Sequence, residues 1–398
     1  METNTFSPDS SSPAKDTHAP TLPPHASVVV VGAGAFGGWT ALHLLRKGFS
    51  VTLIDSWGAG NARSSSGDET RVIRSTYGAN ELYFDLNVRA LELWKEHQQQ
   101  WQQTIFHNTG VLWMCHQKEA PVVDDSIPFA RKNKMEYELL SPEQLREKYP
   151  ILHCDDLHHA WFDPYGGYLK ARESTQLVLR SFQQEGGSYL AAEVFAPSPQ
   201  DLLHHQLHLS NGQKITADVM LFACGAWLAS LFPDLLADKI TCTKQEVYYF
   251  GTPAHQTIPF EKFPVWVDVD GKDFYYGIPG NANRGFKIGV DRRGKPFDPT
   301  HDHRMLEPSV FHHAQEFLEH RFPTLKNAPL LENRVCPYEN SNDGNFIVDH
   351  HPLFQHVWFL GGGSGHGFKH GPALGEWVAE SFCSGKSIPS LWRINNKS

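Results

Sequence analysis

Four consecutive valines, residues 28–31, run straight into Gly32-Ala33-Gly34-Ala35-Phe36-Gly37, and an aspartate follows at position 55. An unbroken β-branched run reads as a strand buried on both faces of a parallel sheet. The pattern over 36–47 predicts a helix, and 49–54 (FSVTLI) predicts a second buried strand closing at Asp55. Gly32 permits the tight turn, Gly34 lets the backbone approach a diphosphate, and Gly37 lets helix and strand pack closely. Ala35 and Phe36 open the helix whose N-terminus faces the phosphates. Asp55, 18 residues beyond Gly37, is placed to accept hydrogen bonds from both hydroxyls of a ribose. The register of strand, helix, second strand and acid predicts dinucleotide binding, and leaves FAD and NAD equally open.

The same texture returns twice. From residue 166 a helix ended by glycines precedes strand candidates at 188–194, 206–209 and 219–223, and near the C-terminus a strand at 357–363 leads through glycines to a helix at 372–384. Between them, TKQEVYYF, PVWVDV, FYYGIP and FKIGVD alternate with polar turns, as sequential antiparallel strands do. The expected fold is α/β: a discontinuous, Rossmann-like nucleotide domain (27–100, 165–238 and 325–398) with an inserted, mixed but mostly antiparallel substrate domain (101–164 and 239–324). Residues 1–26, rich in Ser, Pro and Thr, are expected to form a flexible tail.

At 398 residues with 40% apolar and 20% charged side chains, the chain can bury an ordinary core. A net charge of -9 without a dense basic block argues against nucleic acid as a partner. Six scattered cysteines form no CxxC pair, so neither a disulfide framework nor a zinc site is signalled, and the histidine pairs lack the helical spacing of a metal site. No apolar run is long enough to span a bilayer and no secretory signal opens the chain, so a cytoplasmic protein is expected. The C-terminal Asn-Lys-Ser differs from the Ser-Lys-Leu address, which leaves a peroxisomal location unsupported.

The run ARSSSGDETRVIRSTYG (62–78), ACGAW (223–227), GFKIG (285–289) and CPYENSNDGNFIVDHHP (336–352) leading into GSGHGFK (363–369) resemble the sarcosine-oxidase group of D-amino-acid-oxidase-like flavoproteins, which includes N-methyltryptophan and pipecolate oxidases. The resemblance selects FAD. It implies an amine oxidase that converts the C–N bond of a secondary or primary amino acid to an imine and reduces O2 to H2O2. It also suggests a monomer.

Residue by residue, the resemblance makes Cys336 the point of covalent flavin attachment, although a cysteine met without that context is more often an inert small hydrophobe. Lys287 would lie over the flavin and promote its reaction with oxygen, where a fixed ammonium stabilises developing superoxide. By period-two alternation Lys287 shares a strand face with Asp291, opposite Phe286, Ile288 and Val290, and the plain alternative is a solvated outer face. Arg74 and Lys369 would hold a substrate carboxylate, the guanidinium by a two-pronged grip and the lysine as a point charge. Arg71 would lie against the flavin, and Tyr276 would touch the substrate while Tyr275 points away. Either arginine could instead pair with Asp68 or Glu69. Ser65, Thr70, Val194, Ala223, Gly225, Trp227, Gly365, His366, Gly367 and Lys369 complete the implied cofactor contacts, with His366 a poor candidate for catalysis.

Three departures from the group stand out. Asp291 occupies the place of a histidine, which favours a substrate carrying extra positive charge or changes how the amine loses its proton; the Gly67-Asp68-Glu69-Thr70-Arg71 run has one residue more than the group's; and Ser66 replaces the histidine before that glycine. Alternatives to the oxidase are a dehydrogenase with another electron acceptor, a natural-product tailoring oxidase with a larger amine substrate, and a dinucleotide-binding scaffold without turnover.

Overall fold

The computed structural model describes residues 21–253, 262–269, 274–280, 282 and 284–397. The opening unit consists of β1 (Ser27–Val31), α1 (Ala35–Arg46) and β2 (Ser50–Asp55). β1 lies inside a six-stranded sheet, flanked by β2 and then Ser188–Ala191 on one side, and by Val219–Phe222, Val357–Gly361 and Ile347–His350 on the other. Every pairing is parallel except that of the edge strand Ile347–His350. The valines show why the run is continuous: Val28 and Val30 enter one core, Val29 and Val31 the core on the opposite face. Each such buried side chain contributes about 1.5–3 kcal/mol relative to exposure.

The second sheet has eight strands, ordered Leu330–Ser341, Ile240–Phe250, Phe286–Val290, Phe274–Ile278, Val265–Val269, Val111–Cys115, His159–Asp163 and Glu138–Leu140. Its one parallel pairing joins Val265–Val269 to Val111–Cys115. Helix Pro308–Arg321 covers one face, where Phe317 stacks on Tyr275 at 3.7 Å and Phe286 and Ile288 join the same core. Lys287 projects from the other face and is also buried, so that face is not the solvated one that alternation alone allowed. A third sheet of Thr70–Ile73 (β3), Gly167–Lys170 and Phe106–His107 carries Arg71 and leads directly to Arg74.

Two expectations of organisation change. Strand Leu330–Ser341, expected within the nucleotide domain, pairs along its length with Ile240–Phe250 in the eight-stranded sheet, because its pattern matches an antiparallel partner. The expected tail is docked at its C-terminal end: Leu22 N–H donates to Phe382 O at 2.9 Å and Ala26 is buried. Residues 1–20 lie outside the described residues. Among the described residues, no helix is long and apolar enough to cross a membrane. His153, Asp156 and His320 approach one another, but both Asp156 oxygens already accept from the Arg321 guanidinium, at 2.8 and 3.0 Å.

Candidate functional site

The strand ends of the six-stranded sheet open onto a cavity of about 480 Å³, lined by Gly32, Gly34, Ala35, Phe36, Asp55, Ser65, Val194, Ala223, Gly225, Trp227, Gly365 and Gly367 among others. Gly32 has φ +105°, and a Cβ there would strike the Ala223 carbonyl. Gly37 stands behind the lining, where a Cβ would collide with Gly32 O, so it serves the packing of α1 on β1. Gly34, at the N-cap of α1, has no side chain to cap the helix; Ser66 Oγ takes the Ala35 N–H at 3.1 Å, and the helix N-terminus faces the cavity, where it favours an anion. Asp55 accepts from Ala33 N–H at 2.8 Å, Trp57 N–H at 2.9 Å and Gly58 N–H at 2.7 Å, which shapes the loop after β2 and leaves acceptor capacity for a hydroxyl. Burial raises this carboxyl above its usual range, against those three N–H groups. The glycine cradle, the helix N-terminus facing the cavity and the strand-end acid fit a dinucleotide.

A second cavity of about 60 Å³ adjoins the first, with Arg71, Tyr338, Gly365 and Phe368 lining both. Arg74, Tyr276, Asp291, His366 and Lys369 face the second one. Arg74 lies over the rings of Tyr77 (4.7 Å) and Trp113 (5.2 Å) and donates to Thr76 O; no carboxylate among the described residues bonds it. Lys369 Nζ donates to His366 O at 2.8 Å and sits 5.2 Å from the Tyr77 ring centre. Burial, and then Arg74, pulls Lys369 well below the ordinary lysine value, against Asp291. Asp291 is exposed at the rim, yet surrounded by enough protein that desolvation raises its carboxyl, opposed by Arg74, Lys369 and Arg293. His366 is pulled down to about 3 by burial and by Lys369, so its ring is neutral.

Behind the shared wall lies a buried polar cluster. Lys287 Nζ donates to Asp68 Oδ2 at 2.5 Å and to Thr70 O at 2.9 Å, while Tyr249 Oη donates to Asp68 Oδ1 at 2.6 Å. Arg71 also bonds Asp68, the pairing that the sequence left open, and reaches Ser65 O at 2.6 Å and Cys336 Sγ at 2.9 Å. Glu69 is taken instead by Arg334, at 2.9 Å. Burial would raise Asp68, but Lys287 and Arg71 override it and hold the carboxyl far below the carboxylate range. Burial draws Lys287 below its ordinary value, with Asp68 opposing and Arg71 adding to the shift.

Besides Gly37, four expected cofactor contacts lie elsewhere than in the first cavity. Thr70 is buried and contributes its carbonyl to the cluster; Cys336 is buried behind Arg71 and lines neither cavity; His366 and Lys369 line the second cavity only. Residues that sequence reasoning passed over include Tyr338 in the shared wall and Glu339 in the first cavity, while Ser66, noted only as a departure from the group, accepts at its Oγ from Ala35 N–H at 3.1 Å. Tyr338 shares strand parity with Cys336, a signal available in the sequence once the strand was recognised.

A family model described as FAD dependent oxidoreductase matches residues 27–381. The chain belongs to the FAD-dependent oxidoreductases. Monomeric sarcosine oxidase of Bacillus sp. (strain B-0618) is 28% identical over 379 residues, covering 93% of this chain and 96% of its own. N-methyl-L-tryptophan oxidase of Salmonella heidelberg (strain SL476) is 26% identical over 373 residues, covering 90% and 95%. Two solved structures share the fold: L-proline dehydrogenase from P. horikoshii (TM-score 0.80, 22% identity, 94% of this chain and 98% of that one) and amadoriase I from Aspergillus fumigatus (TM-score 0.78, 20% identity, 94% and 91%). The FAD-dependent family carries the mixed α/β architecture described above.

Proposed function

We propose that this protein is an amine oxidase that acts, as a monomer, on the C–N bond of an amino acid and hands the electrons to O2. The observation that carries this reading is the second cavity: a guanidinium that no carboxylate among the described residues bonds and a buried lysine converge there, and one wall is shared with the cofactor cavity. Bound FAD supplies two-electron acceptance from the carbon beside the nitrogen and, with O2, the formation of H2O2. Arg74 and Lys369 hold the substrate carboxylate, whose arrival offsets the repulsion that depresses Lys369. Tyr276 bounds the substrate on the sheet side. Asp291, at the rim, attracts a positively charged part of the substrate and selects against a second anionic group.

Lys287, shielded from water and held by Asp68, provides a fixed positive charge next to the shared wall, suited to stabilising negative charge on oxygen. Arg71 links that cluster to Cys336, which we assign as the covalent attachment point; the contact of its Sγ with the Arg71 guanidinium at 2.9 Å, on the wall that both cavities share, supports this reading. The six-stranded sheet with its helices forms the cofactor domain and the eight-stranded sheet the substrate domain.

One portion of purified protein is precipitated with acid, and a separate native portion is assayed for peroxide release over secondary and primary amino acids. Flavin retained in the pellet and freed by Cys336→Ala, with one peroxide per substrate, is the expected result. Flavin lost wholly to the supernatant removes Cys336 from its role. Turnover with an artificial acceptor but without peroxide makes the protein a dehydrogenase.

A further inference from the structure

Glu339 takes no part in the chemistry proposed above. It is 7% exposed, on the strand Leu330–Ser341, and lines the cofactor cavity beside Gly363 and Ser364. Its side chain lies so close to the end of Val357–Gly361 that a Cβ on Gly361 would collide with Oε1, and that oxygen has no hydrogen-bond partner among the described residues. A buried polar atom left in this state is costly unless a ligand completes it.

The surroundings decide which protonation state a ligand would meet. Burial raises the carboxyl to about 7, opposed among the described residues by the backbone N–H groups of Gly362 and Gly363 and by no cation. The titratable neighbours are Cys242, directly across the strand pair, and Cys224, after Val219–Phe222, both thiols held above their usual values by burial and by this acid. Arg304, which acts on Cys242, directs its donors to the carbonyls of Arg63, Pro299 and Val335. The ligand itself brings a diphosphate to the same cavity, and a carboxylate beside it would be repelled, whereas a neutral acid offers an O–H.

We propose that Glu339 binds the cofactor as a neutral carboxylic acid, donating its O–H to an oxygen of the chain that joins the two ring systems of FAD, and that its ionisation loosens the cofactor. The proposal rests on the FAD dependence of the family and deepens it. Because the bound state keeps the proton, affinity falls as pH rises above the acid's own value in the free protein, by up to about tenfold per pH unit.

The test is FAD titration of the Cys336→Ser apoprotein, followed by flavin fluorescence from pH 6 to 8.5, so that attachment does not mask exchange. The Kd is expected to rise about tenfold or more over that range, and to stay within about twofold in Cys336→Ser/Glu339→Gln, whose amide keeps a donor without a charge. A second measurement needs no change at position 339: FAD binding at pH 7.5 in weak buffer is expected to take up protons. A pH-independent Kd, an equal rise in both proteins, a Kd that falls with pH, or binding without proton uptake overturns the proposal alone. Absence of FAD binding at every pH overturns the cofactor reading as well.

Discussion

Lys287 Nζ lies 2.5 Å from Asp68 Oδ2 at a point where neither side chain meets solvent. The carboxylate is shared: Arg71 bonds it too, Tyr249 donates to its other oxygen, and Arg334 approaches to 3.5 Å. One buried anion thus organises a cluster of cations that would otherwise repel one another. Asp68→Asn is expected to cost about 3–5 kcal/mol, the penalty for leaving buried charge uncompensated. Lys287→Met should cost less, since Asp68 keeps Arg71, and the double variant less than the sum. Urea unfolding of the three variants checks the order; equal costs would remove Asp68 from the centre of the cluster.

Lys287→Met is also expected to slow reoxidation of the reduced protein by oxygen about 100-fold or more, the size of effect seen when one fixed electrostatic donor is removed, while substrate reduction is little changed. Stopped-flow measurement of the two half-reactions separates them. Equal slowing of both would mean that the lysine only maintains the fold of the site.

Arg74→Met should raise KM for a carboxylate-bearing amine about 10- to 100-fold, in keeping with the loss of a charge-assisted grip, and leave a carboxylate-free amine nearly unaffected. Loss of both substrates together would place the arginine in structural support.

Asp291 and Lys369 respond to pH in the same direction. The carboxyl, raised by burial, becomes neutral as pH falls, and the lysine, lowered by burial and Arg74, becomes charged. Binding of a simple carboxylate inhibitor should therefore strengthen as pH falls. Asp291→Asn should tighten that binding at neutral pH and shallow its pH dependence, as read by a Kd series. A steeper dependence in the variant would contradict the placement of Asp291 against the bound anion.

The dinucleotide unit was legible because its signals are local: a valine run, three glycines with separate steric tasks, and an acid at a strand end. Arg74, Tyr276, Asp291 and Lys369 were legible as types, and the structure gathers them in one cavity. What periodicity could not reveal was what lies against a strand's second face. Alternation put Lys287 opposite Phe286 and Ile288, but only the packing of β3 on the eight-stranded sheet places Asp68 and Thr70 over it. The same gap hid Glu339, whose character depends on an absence of nearby cations rather than on any residue beside it in the chain.

Glu339 also bears on stability. Its carboxyl shifts from 4.5 to about 7 in the folded protein, so between those values the native state holds a proton that the unfolded chain has lost. Stability contributed by this group is present below pH 4.5 and is lost as pH rises to about 7, a difference of roughly 3 kcal/mol. In the absence of FAD, Glu339→Gln should therefore gain stability relative to the parent as pH rises from 4.5 to 7.5. Thermal melts of both proteins across that range would show it, and parallel curves would contradict it.

The strand Leu330–Ser341 belongs to the eight-stranded sheet, yet it presents Tyr338 to both cavities and Glu339 to the larger one, and Ser65 Oγ donates to its Pro337 O at 2.5 Å. The two sheets are sewn together at the site by a single continuous rail. Swinging them apart on a hinge would pull this rail out of the chamber it helps to wall. The wall that separates the two chambers is therefore anchored in the larger sheet, and its position is tied to that sheet's register.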